Sequence, residues 1–177
     1  DPDDKDSSMV TTSMWQQILG HSDASRVWDD FESLRAAWPG KIVLKGVVNP
    51  DDVARAASIG LDAVQLSNHG GRQLDQMLSP MDVLEESRER VGDSIEIFVD
   101  SGIRRGSDIA KALALGADAC SIGRPYLYGL VAAGSAGVSH VIDILAEELR
   151  RTMTLLGVSS VDELKRRGPT LVREVRR

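Results

Sequence analysis

From residue 41 onward, short apolar runs alternate with longer stretches of helical periodicity. Runs of this kind, rich in β-branched residues and bounded by turn residues, are typical of buried strands. The four predicted strands are 41–45, 63–66, 95–99 and 119–122. Because strands that alternate with helices pair in parallel through right-handed crossovers, the pattern predicts an α/β protein built from four βα units.

Helix start and stop signals divide the intervening stretches. Asn49-Pro50 and Ser79-Pro80 each combine a capping side chain with a proline at the first helical position, and Ser107 is predicted to cap a further helix. Pro39-Gly40 ends a helix that lies before the first strand. The predicted helices are 27–38, 50–60, 80–90, 107–116, 125–133, 138–156 and 161–167.

An internal repeat supports a barrel. Residues 52–67 align without gaps on residues 108–123, and each copy contains a helix, a glycine and a strand. An open sheet of this size would leave two bare parallel edges, whereas an eight-stranded barrel needs about 250 residues. We therefore expect a (β/α)8 TIM barrel to which this chain of 177 residues supplies the C-terminal four βα units and the terminal helices.

Composition narrows the setting. A formal charge of −6 argues against a nucleic-acid partner, and no uninterrupted apolar run approaches about 18 residues, which predicts no membrane span. The acidic start is unlike a signal peptide. Cys120 is the single cysteine and is predicted to be a packing residue, in keeping with a reducing cytoplasm.

Candidate chemistry follows the second predicted strand, in Ser67-Asn-His-Gly-Gly-Arg-Gln-Leu-Asp75. Loops after parallel strands carry the active sites of barrels. The His69 imidazole can accept a proton near neutral pH, and the Arg72 guanidinium can hold a carboxylate through two hydrogen bonds. The pair predicts an enzyme that acts on a small carboxylic acid.

The remaining strand ends add a lysine and an anion site. Lys45 ends the first strand, where it either faces a ligand or is solvated. Asp100–Gly106 and Ile122–Pro125 follow the third and fourth strands, and combine small residues with arginines. Such loops cradle phosphate in barrels, although each alone resembles an ordinary βα turn. No metal site is predicted.

These motifs resemble the FMN-dependent α-hydroxy acid oxidases and dehydrogenases, a family that includes glycolate oxidase, lactate oxidase, L-lactate dehydrogenase and mandelate dehydrogenase. The resemblance extends from about Trp28 to Glu174, and the histidine motif is its most specific part. It implies FMN as the cofactor. It also implies oxidation of an L-2-hydroxy acid to a 2-oxo acid, after which oxygen or another acceptor reoxidises the flavin.

The resemblance also implies residue roles. His69 is the general base, Arg72 binds the substrate carboxylate, and Lys45 lies beside the flavin N1 and C2 carbonyl, where it stabilises the reduced flavin. The residues expected to hold the flavin, its ribityl chain or its phosphate are Lys45, Ser67, Asp100, Ser101, Gly102, Arg104, Gly123 and Arg124. Lactate, glycolate and mandelate stay open as substrates, as do oxygen and other acceptors.

By the same resemblance, residues 1–20 are expected to form the tail of the loop after barrel strand four, and residues 21–177 the C-terminal half of the barrel. Some relatives carry a membrane-binding segment in that loop, so a cytoplasmic location has peripheral membrane association as its alternative. The expected partners are the N-terminal half of the barrel and further copies in a homotetramer.

Two other functions stay open: a half-barrel that binds FMN without activity of its own, and a related FMN barrel such as a type 2 isopentenyl diphosphate isomerase, which should lack the His69/Arg72 pair.

Overall fold

A computed structural model describes residues 25–172. The chain divides into two compact units, Asp1–Pro39 and Gly40–Arg177. In the first, helix α1 spans Trp28–Ala37 as predicted, and the Trp28 and Phe31 rings lie 5.6 Å apart between centroids. The predicted lead-in at 1–20 and its boundary lie outside the described residues and stay predictions.

The second unit is a parallel sheet with strand order β1-β2-β3-β4, and its helices follow the strands in alternation. The four predicted βα units are thereby confirmed. A short 3-10 turn, His69–Gly71, follows β2. The elements are β1 Val43–Val47, α2 Pro50–Ser58, β2 Ala63–Leu66, α3 Pro80–Val91, β3 Glu96–Val99, α4 Gly106–Ala114, β4 Ala119–Cys120, α5 Arg124–Leu156 and α6 Val161–Leu171.

The two faces of the sheet differ in burial. Val64 pairs with Ile97, and Leu66 pairs with Val99, and all four side chains are fully buried. On the opposite face, Lys45, Gln65 and Phe98 lie in register, and each keeps some exposure. Because successive strand residues point to opposite faces, one face forms the core with the helices and the other is uncovered among the described residues.

Helix α4 begins at Gly106, so Ser107 lies inside its first turn and the prediction that Ser107 caps the helix is wrong. The cap position is Arg105, and the Asp108 Oδ2 atom, inside the first turn, accepts the Arg105 backbone N–H at 3.0 Å. Gly106 opens the helix, and α5 passes very close to it: a Cβ there would lie 2.1 Å from the Leu149 backbone nitrogen. Close packing against α5 therefore requires glycine at the first position of α4.

Helix α5 consists of two helical arms that meet at a break, in agreement with the predicted division into 125–133 and 138–156. It is interrupted at Ala133 and at Gly134, whose φ is 57° and ψ −140°. A Cβ on Gly129 would lie 2.5 Å from the Gly137 carbonyl oxygen, so the chain turns sharply at the break. By length and composition, α5 is also the one helix among residues 25–172 that could cross a membrane. Because α5 is broken at Ala133 and Gly134, this match does not overturn the expectation of no membrane span, which stays a prediction.

Equivalent aspartates of the sequence repeat make equivalent bonds at the starts of the strands. Asp62 lies before β2, and its Oδ2 atom accepts the Ile42 N–H at 2.8 Å. Asp118 lies before β4, and its Oδ2 atom accepts the Ile97 N–H at 2.9 Å. In each case the carboxylate binds the start of the neighbouring strand on the N-terminal side of the sheet, the side that serves stability in barrels.

Asp118 also has two cationic partners. Lys165 of α6 donates to its Oδ1 atom at 2.6 Å, and the Arg88 guanidinium of α3 pairs with Oδ2. Burial opposes ionisation of the Asp118 carboxyl, but these bonds and the Ile97 N–H outweigh it and lower its pKa. The carboxylate therefore joins two strands and two helices.

Candidate active site

The charged loops predicted from the sequence meet at one edge of the sheet. Lys45 lies near the end of β1, the histidine loop follows β2, Asp100 follows β3 and Arg124 begins α5 after β4. Because parallel strands end at the same edge, residues far apart in sequence gather there.

Asp100 is the centre of this edge. Its carboxylate accepts hydrogen bonds from Lys45 Nζ at 3.0 Å, Gln65 Nε2 at 2.7 Å and Ser101 Oγ at 2.7 Å. Burial opposes its ionisation, but hydrogen bonds from Ser67, Ser101, Lys45 and Gln65 outweigh burial and lower its pKa. The carboxylate is therefore charged at neutral pH and holds the ammonium of Lys45 at the C-terminal edge of the sheet.

Ser67 connects the lysine to the histidine loop. Its side chain is fully buried. The Ser67 Oγ atom accepts a hydrogen bond from Lys45 Nζ at 3.0 Å and another from the backbone N–H of His69 at 3.2 Å. One buried hydroxyl thus sets the distance between the β1 lysine and the start of the loop.

The loops after β2 and β3 are conformationally strained. His69 and Ser101 have φ values of 56° and 64°, in the left-handed region that costs a residue with a side chain about 1–3 kcal/mol. The backbone N–H of Gly70 donates to Asn68 Oδ1 at 3.0 Å and lies 3.2 Å from Ser101 Oγ, which ties the two loops together. Strain of this kind persists where the surroundings hold it, and it clusters at functional sites.

The two predicted catalytic side chains of this loop differ in their surroundings. The His69 ring lies over the backbone of Gly46, where a Cβ would approach the ring Cε1 atom to 2.9 Å. Both side chains are exposed to solvent, but no comparable contact within residues 25–172 fixes Arg72. The Arg124 guanidinium reaches the same loop, since its Nη2 atom lies 3.4 Å from the place of a Cβ on Gly70. The His69 ring therefore packs against β1, the Arg124 guanidinium approaches the loop at Gly70, and the Arg72 side chain extends from the loop into solvent.

The predicted phosphate cradle is open. Gly123 is the cap residue of α5, and as a glycine it places no side chain over the helix N-terminus, a position that suits anions. A Cβ on Gly123 or on Gly102 would meet no atom within 4 Å, and Gly102 has a φ of 91°. Arg104 and Arg124 are exposed nearby in sequence. Open space, exposed backbone and two guanidinium groups fit a phosphate-bearing ligand.

Three residues of this edge were missed in the sequence analysis. Gln65 binds Asp100, Asn68 accepts the Gly70 N–H, and Gly46 lies under His69. Gln65 had a usable signal, because a polar side chain in an otherwise apolar strand must face something polar. Gly46 had none, since a glycine after a strand lysine is also an ordinary strand ending.

Cys120 is partly buried near the end of β4. Burial raises the pKa of its thiol to about 12, in agreement with its prediction as a packing residue. Within residues 25–172, no cluster of three or more histidine, cysteine, aspartate or glutamate side chains is placed to bind a metal.

The parallel βα units, with arginines in the loops at the C-terminal edge of their strands, are typical of α/β barrel proteins that bind phosphate-bearing ligands. Residues 3–171 match the family model described as FMN-dependent dehydrogenase. The chain belongs to this family.

Individual relatives agree. An L-lactate oxidase from Nostoc sp. (strain PCC 7120 / SAG 25.82 / UTEX 2576) is 50% identical over 77% of this chain and 38% of that protein. The structure of a mandelate oxidase variant with a monooxide FMN adduct has a TM-score of 0.77 and 42% identity, over 80% of this chain and 45% of that one. The monotopic membrane protein (S)-mandelate dehydrogenase has a TM-score of 0.80 and 44% identity, over 85% and 39%.

The chain thus spans less than half the length of each of these three relatives. The predicted family, the TIM-barrel fold with this chain as its C-terminal portion, and FMN as the family's cofactor are confirmed. The roles of individual residues stay predictions.

Proposed function

We propose that this chain forms the FMN- and substrate-binding half of an enzyme that oxidises a small L-2-hydroxy acid to a 2-oxo acid. The observation that supports it most is the cluster of Lys45, Ser67, His69 and Asp100 at the end of the sheet, joined by bonds of 3.0 to 3.2 Å. In this cluster, the lysine that serves the flavin and the loop that carries the base for the substrate are bonded to the same Ser67 hydroxyl.

The residues present fit FMN. Arg104, Arg124 and the open N-terminus of α5 suit its phosphate, and Ser67, Asp100 and Ser101 offer polar groups for its ribityl chain. The open space at Gly102 and Gly123 lets backbone approach the ligand. When bound, the flavin supplies the two-electron acceptor for the oxidation.

The substrate is held and deprotonated from the histidine loop. Arg72 binds the substrate carboxylate through two parallel hydrogen bonds, which orients the 2-carbon. The His69 imidazole takes a proton from the substrate as it is oxidised. Lys45 stabilises negative charge at the flavin, and Asp100 holds Lys45 in place through their ion pair. The His69/Arg72 pair favours this chemistry over that of an isomerase.

The uncovered face of the sheet supports the proposal that a second half-barrel packs against it. Val43 is 45% exposed on edge strand β1, and Phe98 and Lys45 keep exposure beside it. We propose that four further βα units cover this face, complete the barrel and supply the other wall of the site, and that the complete barrels form a tetramer. The second candidate is a half-barrel that binds FMN without turnover, and it is supported by the loops after β3 and β4, whose arginines Arg104 and Arg124 both lie within this chain.

For location we propose the cytoplasm. The first arm of α5 carries exposed apolar side chains at Leu130 and Val131, which makes peripheral membrane association the alternative. Co-sedimentation with anionic phospholipid vesicles separates the two, since a cytoplasmic protein stays in the supernatant.

Anaerobic flavin bleaching tests the activity. We expect lactate, glycolate or mandelate to bleach the flavin absorbance of the purified protein, and air to restore it if oxygen is the acceptor. If FMN binds but none of the three bleaches it, binding without turnover is the correct function. Intact mass tests the partner: a lone species of 19.2 kDa that is folded and yellow would refute the partner half.

A further inference from the structure

The end of strand β1 contains an irregularity beside the proposed base. Lys45 pairs with Gln65 and Val47 pairs with Leu66, so Gly46 is an extra residue between two consecutive pairs. Its φ of 94° is the left-handed conformation that suits a bulge glycine. Such bulges are frequent next to active sites, where they redirect a side chain.

The bulge separates two side chains that a regular strand would place on one face. Val47 lies beside the fully buried Leu66 and is itself 7% exposed, whereas Lys45 remains on the open face with 48% of its side chain exposed. In a regular strand, with Gly46 forming a pair of its own, alternation would place Val47 and Lys45 on the same side of the sheet. The bulge therefore anchors β1 in the core just after the lysine.

The bulge also makes room for the histidine. A Cβ on Gly46 would lie 2.9 Å from His69 Cε1, 3.6 Å from Nε2 and 3.9 Å from Nδ1. Three ring atoms within 4 Å mean that the imidazole rests on the glycine itself. A contact of 2.9 Å with carbon is well inside van der Waals distance, so any side chain at this position displaces the ring.

The histidine cannot move its backbone easily in response. Its N–H is bound to Ser67 Oγ at 3.2 Å, and the next residue, Gly70, is bound to Asn68 and lies against Ser101. With the backbone held at a φ of 56°, the displacement must be taken up by side-chain rotation. Gly46 thus determines where the ring nitrogens lie.

We propose that Gly46 is a positioning residue for His69, acting through the bare surface of the β1 bulge. This rests on the proposed function for the role of His69 as the base, but the contact itself does not. A base must lie within hydrogen-bond reach of the proton that it takes, and a misplacement of about 1 Å costs roughly 100-fold in rate.

The test compares Gly46→Ala with Gly60→Ala in the purified, FMN-loaded protein. Gly60 also has a left-handed φ, 77°, but a Cβ there meets nothing within 4 Å, so it reproduces the backbone cost without the contact. The first measurement is the ¹H–¹³C NMR signal of His69 Cε1, assigned by its loss in His69→Gln. We expect Gly46→Ala to shift this signal and Gly60→Ala to leave it in place. An unshifted signal in Gly46→Ala overturns the proposal.

The second measurement is anaerobic flavin reduction. Gly46→Ala should lower the reduction rate constant by about 100-fold while FMN affinity stays that of the wild type. Equal loss in Gly60→Ala would show a backbone effect and overturn the proposal. If the wild type itself reduces no FMN with any 2-hydroxy acid, the proposed function fails, and the NMR shift still decides the contact.

A folding failure of Gly46→Ala is also informative. If the clash with the imidazole is the cause, Gly46→Ala/His69→Ala restores folding, because the ring is gone. If the double variant is as unfolded as the single one, the ring is not what Gly46 accommodates, and the proposal is overturned.

Discussion

Asp118→Asn should destabilise the fold without affecting the active site. Asparagine keeps one oxygen for the Ile97 N–H but loses the charge that pairs with Lys165 and Arg88. Hydrogen bonds to charged groups contribute about 1.5–3 kcal/mol each. The side chains of Lys165 and Arg88 are 34% and 20% exposed and so are partly rehydrated, which places the loss near the lower end, at about 2–3 kcal/mol in total.

Urea unfolding followed by circular dichroism measures this loss at pH 7, with Asp93→Asn as the control. Asp93 lies 3.9 Å from the same arginine, but is fully exposed, so its substitution should leave the free energy of unfolding unchanged. Equal stability of Asp118→Asn and the wild type, or equal losses in the two variants, would refute the assignment. Anaerobic flavin binding should be the same in all three proteins.

The difference in the free energy of unfolding between wild type and Asp118→Asn should decrease as the pH is lowered. Because the folded-state pKa of Asp118 is lowered from 3.8, its charge stabilises the fold above pH 3.8. That stabilisation is lost as the pH falls through the folded-state value. The gap between wild type and Asp118→Asn should therefore be full at pH 7 and shrink below about pH 4. A gap that is constant over this range would show that the charge is not its source.

Other predictions concern the site and the thiol. His69→Ala should abolish flavin reduction and leave FMN bound. His140→Ala, at an exposed position on α5, is the control and should change neither property. Unaltered reduction kinetics in His69→Ala would remove His69 from the mechanism. Arg72→Lys should raise the KM for the substrate and slow reduction, because a point charge cannot replace a bidentate fork; Arg151→Lys serves as the control, and a titration without either loss would contradict the carboxylate clamp. With a pKa of about 12 against the ordinary 9.0, Cys120 should react with iodoacetamide at pH 8 about 1,000-fold more slowly than in urea-unfolded protein, and comparable rates would contradict its burial.

Local signals predicted most of the fold. The strand 63–66 was predicted with its observed bounds, and the proline-led starts of α2 and α3 were correct, because each depends on residues adjacent in sequence. The division of α5 at Ala133-Gly134 was also predicted. The predicted cap of α4 was wrong. Gly106 opens that helix and packs against the backbone of α5 at Leu149, a contact with a distant segment that only glycine permits. Such contacts leave no signal in the local pattern.

In the candidate site, too, local signals predicted the positions of the residues but not the contacts between distant segments. Sequence alone placed Lys45, His69 and Asp100 at strand ends, and the parallel topology brought them to one edge as expected. It could not predict that Asp100 would bind both Lys45 and Gln65, because those bonds depend on side chains from three strands. The contact of His69 with Gly46 depends on a bulge that no local motif indicates.

The repeated aspartates have a consequence for the order of folding. Asp62 binds the start of β1 from the residue before β2, and Asp118 binds the start of β3 from the residue before β4. Each of these bonds ties a strand to the one synthesised before it, so a nascent βα unit can set its register on its predecessor while the rest of the sheet is still unformed. A barrel assembled from such units can grow in the direction of synthesis, one strand at a time.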